Sequence, residues 1–299
     1  MGRRLRASGL VLALLTVFAV VVALHGCKPK EQLDPRFRAR PGETTFKDMR
    51  GDPLEDTLTA MLKLGVFDFP GGGWFQPKEC IERGQFLTWL VRAWDIYYRD
   101  QPKVWIRLAE VTPNSTWTYA DAMPHTPLYR YLEGTIQTGR LVGFEKGDWQ
   151  YSRRLTREEL ILLRNSVVGG RESRDMVWAP EEERDDYRVS LRTFLSDADE
   201  VSEEYLAAVQ NDLTRGESIK LAFPDVKLEA GESKPALHPS KLVTRREAVQ
   251  ALTKLGKRNF RNAAVGALGE WKPLTQEEAA ELDKQDEAAR KSFGGAHEH

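Results

Sequence analysis

The stretch "LTREELILL", Leu155 to Leu163, is echoed further along by "VTRREAVQAL", Val243 to Leu252, in the same Thr-Arg-x-Glu order with an apolar run behind it. Locally, each reads as a helix start. Thr156 and Thr244 are hydroxyl N-caps, and Glu159 and Glu247 complete capping boxes that satisfy backbone N–H groups otherwise left without partners. A cap of this kind is worth on the order of 1 kcal/mol. It accounts for the Thr and the Glu, but not for the Arg or for the repetition.

The repetition extends beyond the phrase. Pro53, Gly65 and Arg83 stand at the same mutual intervals as Pro127, Gly139 and Arg157. Within that frame "PLEDTL" at 53–58 matches "PLYRYL" at 127–132, and Phe75-Gln76-Pro77 matches Trp149-Gln150-Tyr151. Leu237-His238-Pro239 keeps the same distance from Arg245, whereas Gly216 stands further away, which places an insertion in "IKLAFPDVKLEAGESK". Each copy reads as a short helix, a Gly-containing loop and a second helix. Pro53 and Pro127 suit a first helical turn, Leu54, Leu58, Met61 and Leu62 follow at helical spacing, and Gly65, Gly139 and Gly216 suit the left-handed residue that ends a helix. The second helices carry apolar stripes at Phe86, Leu90, Val91 and Trp94, at Leu160, Leu163 and Val167, and at Ala248, Leu252 and Leu255. A two-helix unit cannot bury both its stripes alone, so a mainly α fold is expected, with three units packed around a shared helical core.

At 299 residues and 41% hydrophobic content the chain can bury a substantial core, and its 44 basic against 45 acidic residues give no global field for nucleic acid. No nucleic-acid-binding motif is present either. Arg3, Arg4 and Arg6 precede the apolar run "GLVLALLTVFAVVVAL", the layout of an export signal over residues 1–27. The run is short for a membrane span of roughly 20 residues, although an uncleaved anchor and simple secretion remain alternatives. Removing the leader takes away three Arg and no acid, which leaves a mildly acidic mature chain. Beyond Cys27 the one other Cys is Cys80, so an internal disulfide framework is ruled out and stability must come from packing. Residues 28–44, "KPKEQLDPRFRARPGET", read as a polar tether. Residues 171–193 read as a charged connector in which Trp178 folds back onto a neighbour. Residues 257–299 read as a charged C-terminal helix, capped by Thr275 and Glu278, and a tail.

Two resemblances follow from these residues. Leu24-His25-Gly26-Cys27 resembles the lipobox of bacterial lipoproteins, with His25 departing from its usual small residue, and implies lipidation of Cys27 and a membrane anchor. "TFKDM…PLEDTLTAMLKLGVFDFPGGGWFQPKECIERGQFLTWLVRAW" resembles an S-layer homology repeat, with copies over 45–98, 108–169 and 194–256. In the second copy Glu110 takes the place of the family's early Asp, and in the third Leu195-Ser196-Asp197 occupies that slot. The resemblance implies a pseudo-threefold, three-lobed helical bundle that is noncatalytic. It also implies binding of cell-wall or surface polysaccharide, often acidic or pyruvylated, in grooves between lobes. By position the implied polysaccharide-binding residues are Arg83, Arg157 and Arg245. A guanidinium at a helix N-terminus can pair with a carboxylate while nearby N–H groups add positive potential.

Departures from the family pattern are visible. Glu82-Arg83-Gly84-Gln85 replaces Thr-Arg-Ala-Glu in the first copy, and a family Trp near the first helix is replaced by Pro53, Pro127 and Glu204. An envelope protein-interaction scaffold with degenerate repeats is therefore the alternative reading. No cofactor or metal is expected. His125 and His238 are isolated, Asp197, Asp199 and Glu200 lack the Gly and closing Glu of a calcium loop, and no catalytic or phosphate-binding motif occurs.

Overall fold

The computed structural model describes residues 46–67, 73–141, 147–170, 178–215, 218–226 and 234–260, together with Glu277 and Lys284. The chain divides into two units, 1–35 and 36–299, and all of these residues belong to the second. The leader with Cys27, the tether, Gly216 and nearly all of the C-terminal segment lie outside the described residues.

The described part is mainly helical. Its α-helices are α1 (Glu55–Lys63), α2 (Arg83–Tyr97), α3 (Pro127–Gln137), α4 (Arg157–Gly169), α5 (Arg184–Phe194), α6 (Leu206–Arg215), α7 (Ser218–Ala222) and α8 (Arg245–Leu252). An antiparallel pair, β1 (Lys254–Leu255) and β2 (Arg258–Asn259), follows α8 with Lys254 opposite Asn259.

Helix boundaries follow the capping chemistry. Thr156 and Thr244 are extended N-caps of α4 and α8. The Thr156 N–H donates to Glu159 Oε2 at 3.0 Å and the Thr244 N–H to Glu247 Oε2 at 2.8 Å, while the Glu247 N–H returns to Thr244 Oγ1 at 3.2 Å. Pro127 opens α3. Pro53 does not open α1, which starts at Glu55; the Asp52 carboxylate accepts the Leu54 N–H at 2.8 Å and marks the turn instead. Gly65 and Gly139, just past α1 and α3, adopt φ of 78° and 70°, where a Cβ would be strained.

Every residue of the three stripes is buried, but Leu255, expected on the second helix of the third copy, lies in β1 because α8 ends at Leu252. Each large apolar side chain so placed contributes about 1.5–3 kcal/mol. In the contacts between helices, α3 lies on α2 and α6 on α4, so a first helix packs on the second helix of the copy before it; α2 touches both α4 and α8. Phe46, Phe67, Phe75 and Trp89 form an aromatic cluster, with Phe67 edge-on to Trp89 at 4.5 Å.

The charged connector turns out to contain a helix. Its second half forms α5 against α6, because Tyr187 and Leu191 fall one turn apart and Leu191 is fully buried, a stripe that the surrounding charges disguise. Trp178 is 46% exposed, so it is only partly covered.

Candidate functional site at the motif junctions

The residues two places ahead of the motif arginines bind one another in a closed cycle. The Ile81 N–H donates to Val243 O at 3.0 Å, Val243 to Leu155 O at 2.8 Å, and Leu155 to Ile81 O at 3.0 Å. All three side chains are buried.

The first turns of α2, α4 and α8 continue the pattern. The N–H groups of Arg83, Arg157 and Arg245 donate to Arg153 O, Lys241 O and Glu79 O at 2.9, 3.0 and 2.8 Å. The next N–H groups, of Gly84, Glu158 and Arg246, donate to Tyr151 O, Pro239 O and Pro77 O at 2.9, 3.2 and 3.1 Å. These helix-start donors, which would otherwise be open to an incoming anion, are therefore satisfied by carbonyls of a neighbouring copy.

The motif side chains cross the same junctions. Arg83 Nη1 donates to Trp149 O at 2.7 Å and Nη2 to the Glu159 carboxylate. Arg157 Nη1 donates to Leu237 O at 2.9 Å, and Nη2 meets both Asp225 oxygens at 2.8 and 2.7 Å and Glu247 Oε1 at 3.1 Å. Arg245 Nη1 donates to Phe75 O at 3.1 Å and to Gln76 Oε1 at 2.8 Å. The arginine of one copy thus reaches the carbonyl of the next copy's buried plug residue: Trp149, Leu237 or Phe75. Where the phrase is complete it also reaches the next copy's capping Glu, which closes its own helix cap and receives a guanidinium.

Burial sorts the three sequence-derived candidates. Arg157 is completely buried and Arg83 is 6% exposed, where a first-turn arginine would be expected at the surface. Arg245 is half-buried. The guanidinium of Arg157 also lies over the Phe223 ring at 4.4 Å and that of Arg83 over Trp149 at 5.3 Å. Glu82, which stands where the family pattern has Thr, faces Arg154 at 3.9 Å. Burial pushes the Asp225 carboxyl up, but hydrogen bonds from Arg157 and Lys241 outweigh this and hold it below its ordinary value.

A second set of residues shapes the plug loops. Asp48 accepts the N–H groups of Phe75 and Gln76 at 2.8 and 2.7 Å, Asp121 those of Trp149 and Gln150 at 2.6 and 2.7 Å, and Asp197 those of Leu237 and His238 at 2.9 and 2.6 Å. Each clamp holds a non-glycine residue in the left-handed region: Gln76, Gln150 and His238, at φ 58°, 55° and 52°. In the second copy this acid is Asp121 and not Glu110, which is exposed. The aromatic-x-Asp order of Tyr119-Ala120-Asp121, parallel to Phe46-Lys47-Asp48, was the available signal. Asp225 stands in the same order, Phe223-Pro224-Asp225, but within the insertion, and it meets Arg157 instead of clamping a plug loop.

Among the described residues, no group of three His, Cys, Asp or Glu side chains could hold a metal ion, and no helix is long and apolar enough to cross a membrane. No protein-family model matches the chain, and no curated protein matches it.

Proposed function

We propose that the chain is a noncatalytic attachment protein of the cell envelope. Lipidated Cys27 holds it on a membrane, and three S-layer homology repeats, forming three lobes about a pseudo-threefold axis, bind acidic wall or surface polysaccharide. The cyclic hydrogen bonds of Ile81, Leu155 and Val243 support the threefold arrangement.

The observation that carries the binding reading is the Arg245 junction. There a half-buried guanidinium bonds to Phe75 O and Gln76 Oε1, and the residue just before these in the chain, Trp74, is 58% exposed. A cation bonded to the loop that carries an exposed indole suits a carboxylated sugar, whose ring face can stack on the indole while its carboxylate meets the guanidinium. At the corresponding places the other copies have Asp148 and Ala236. Arg83 and Arg157 are assigned to holding the copies together, and Arg245 to the ligand.

The test is retention of the leaderless chain on purified envelope polysaccharide. Arg245→Ala and Trp74→Ala should each fold normally, and Arg245→Ala should lose roughly 1.5–3 kcal/mol of affinity, the range for hydrogen bonds to a charged group. Equal retention of the parent and the double variant would defeat the binding reading. The anchor is tested separately: Cys27→Ser should abolish incorporation of labelled fatty acid.

A scaffold for envelope proteins is the second reading. Its support is that two of the three motif arginines are spent on internal carboxylates, Glu159 and the Asp225–Glu247 pair. It predicts that the double variant behaves as the parent does.

A further inference from the structure

A cavity of about 550 Å³ opens where α4 ends, lined in part by Lys103, Trp105, Arg107, Thr138, Arg140 and Gly170. α4 begins at Arg157 and ends at Gly169, so at about 1.5 Å per residue the cavity lies roughly 18 Å along the helix from the motif arginines. It is a different place from the Arg245 junction. Its volume falls in the range of small-molecule sites, about 300–1,000 Å³.

Among the described residues lining it are three cations and no carboxylate. The frame is built. Trp105 Nε1 donates to Tyr98 O at 2.7 Å, which fixes the indole. The Ala109 N–H donates to Arg130 O at 2.9 Å, which ties the segment carrying Arg107 to α3. Arg140 lies over the Trp94 ring at 4.5 Å, and Gly170, at φ 60°, passes so close that a Cβ would stand 3.2 Å from its Nη1.

Arg140 is not the main ligand group. Its Nη1 donates to Val167 O in the last turn of α4, burial lowers its pKa, and the nearby Asp95 partly compensates its charge. It neutralises the negative end of the helix, which would otherwise repel an anion. Lys103 and Arg107 are exposed at the rim, where they can act on an incoming charge. Thr138 and Gln137 also line the cavity.

We infer that this cavity binds a small sugar bearing an oxyanion, phosphate or carboxylate, with its ring on Trp105 and its charge between Lys103 and Arg107. The proposal does not depend on the polysaccharide reading.

The experiment titrates the leaderless chain with glucose 6-phosphate, glucuronate, glucose and inorganic phosphate, following the Trp105 indole signal by NMR. A charged sugar should perturb Trp105 and bind at least about tenfold more tightly than glucose, an advantage that weakens with salt. Binding of glucose 6-phosphate alone would identify the phosphate as the source of the charge, and of glucuronate alone the carboxylate. Lys103→Ala combined with Arg107→Ala should lower that affinity about tenfold or more at unchanged Tm, since both side chains are exposed. Trp105→Leu should weaken sugar binding more than binding of inorganic phosphate, and Arg245→Ala should change neither. Glucose binding as well as the charged sugars, the Lys103/Arg107 variant binding like the parent, or an unmoved Trp105 signal would each overturn the proposal.

Discussion

At the scale of single residues, the arginine of the repeated phrase has a role that its position in a first turn conceals. Arg157 is buried beneath Glu247 and a half-exposed Asp225, so removing it takes the guanidinium from both carboxylates, although Asp225 keeps Lys241. Arg157→Ala should cost about 1.5–3 kcal/mol in urea unfolding, the range for hydrogen bonds to charged groups. Arg245→Ala, from a half-buried site, should cost less than Arg157→Ala. Acid should act on the same contacts. Asp225 has a folded-state pKa below its unfolded value, so its stabilisation is present above about pH 4 and is lost as pH falls through the depressed value. Asp100, hydrogen-bonded to Arg258, behaves alike, as does Asp52, where contacts with Arg246 and the Leu54 N–H outweigh the upward push of burial. Burial raises Glu158, so protonation there favours the folded state and partly offsets the loss. Thermal unfolding should therefore fall most steeply below about pH 4, and Asp225→Asn should flatten that limb.

At the scale of elements, one close approach and one strained loop residue set the geometry. A Cβ on Gly134 of α3 would stand 2.3 Å from Arg107 O, so α3 sits against residues 107–109 only because that side chain is absent. Gly134→Ala should raise the helix propensity of α3 by up to about 1 kcal/mol and still destabilise, because the backbone must separate. Circular dichroism melts of the variant and parent would show the sign. The plug loops give a second case. Gln150 is held at positive φ by the Asp121 clamp on its loop. Gln150→Gly should be neutral or slightly stabilising, whereas Gln150→Val should cost roughly 1–3 kcal/mol.

At the scale of the whole molecule, contacts that link each copy to the next imply joint folding. The cycle through Ile81, Leu155 and Val243 has no member that bonds only within its own copy. Tyr97 in α2 donates to Leu252 O in α8, and Arg164 in α4 donates to Ala251 O at 3.1 Å and Lys254 O at 2.6 Å. Ending the chain after residue 193 removes α8 and exposes the stripes of α2 and α4. The truncated chain should lose its cooperative thermal transition and exchange its amide protons rapidly, even though the sequences of α1, α2, α3 and α4 are intact. Independent melting of the first two copies would show that they do not depend on the third.

The helices were legible in the sequence because capping and periodicity are local: the starts of α4 and α8, the apolar stripes of α2, α4 and α8, and the glycines after α1 and α3 all follow from near neighbours in the chain. The weak stripe of α5 was not legible, since only contact with α6 shows which of its few apolar residues are used. The sequence also located the three arginines and the repeated frame around them. It could not determine what the arginines do, because Arg83 meets Glu159, Arg157 meets Asp225 and Glu247, and Arg245 meets Gln76 across separations no local pattern encodes. A guanidinium at a helix start is a surface charge when nothing packs over it and a buried tie when a neighbouring copy does. Only the tertiary structure decides between those two states, because both the desolvation and the carboxylates that compensate it are supplied by another part of the chain.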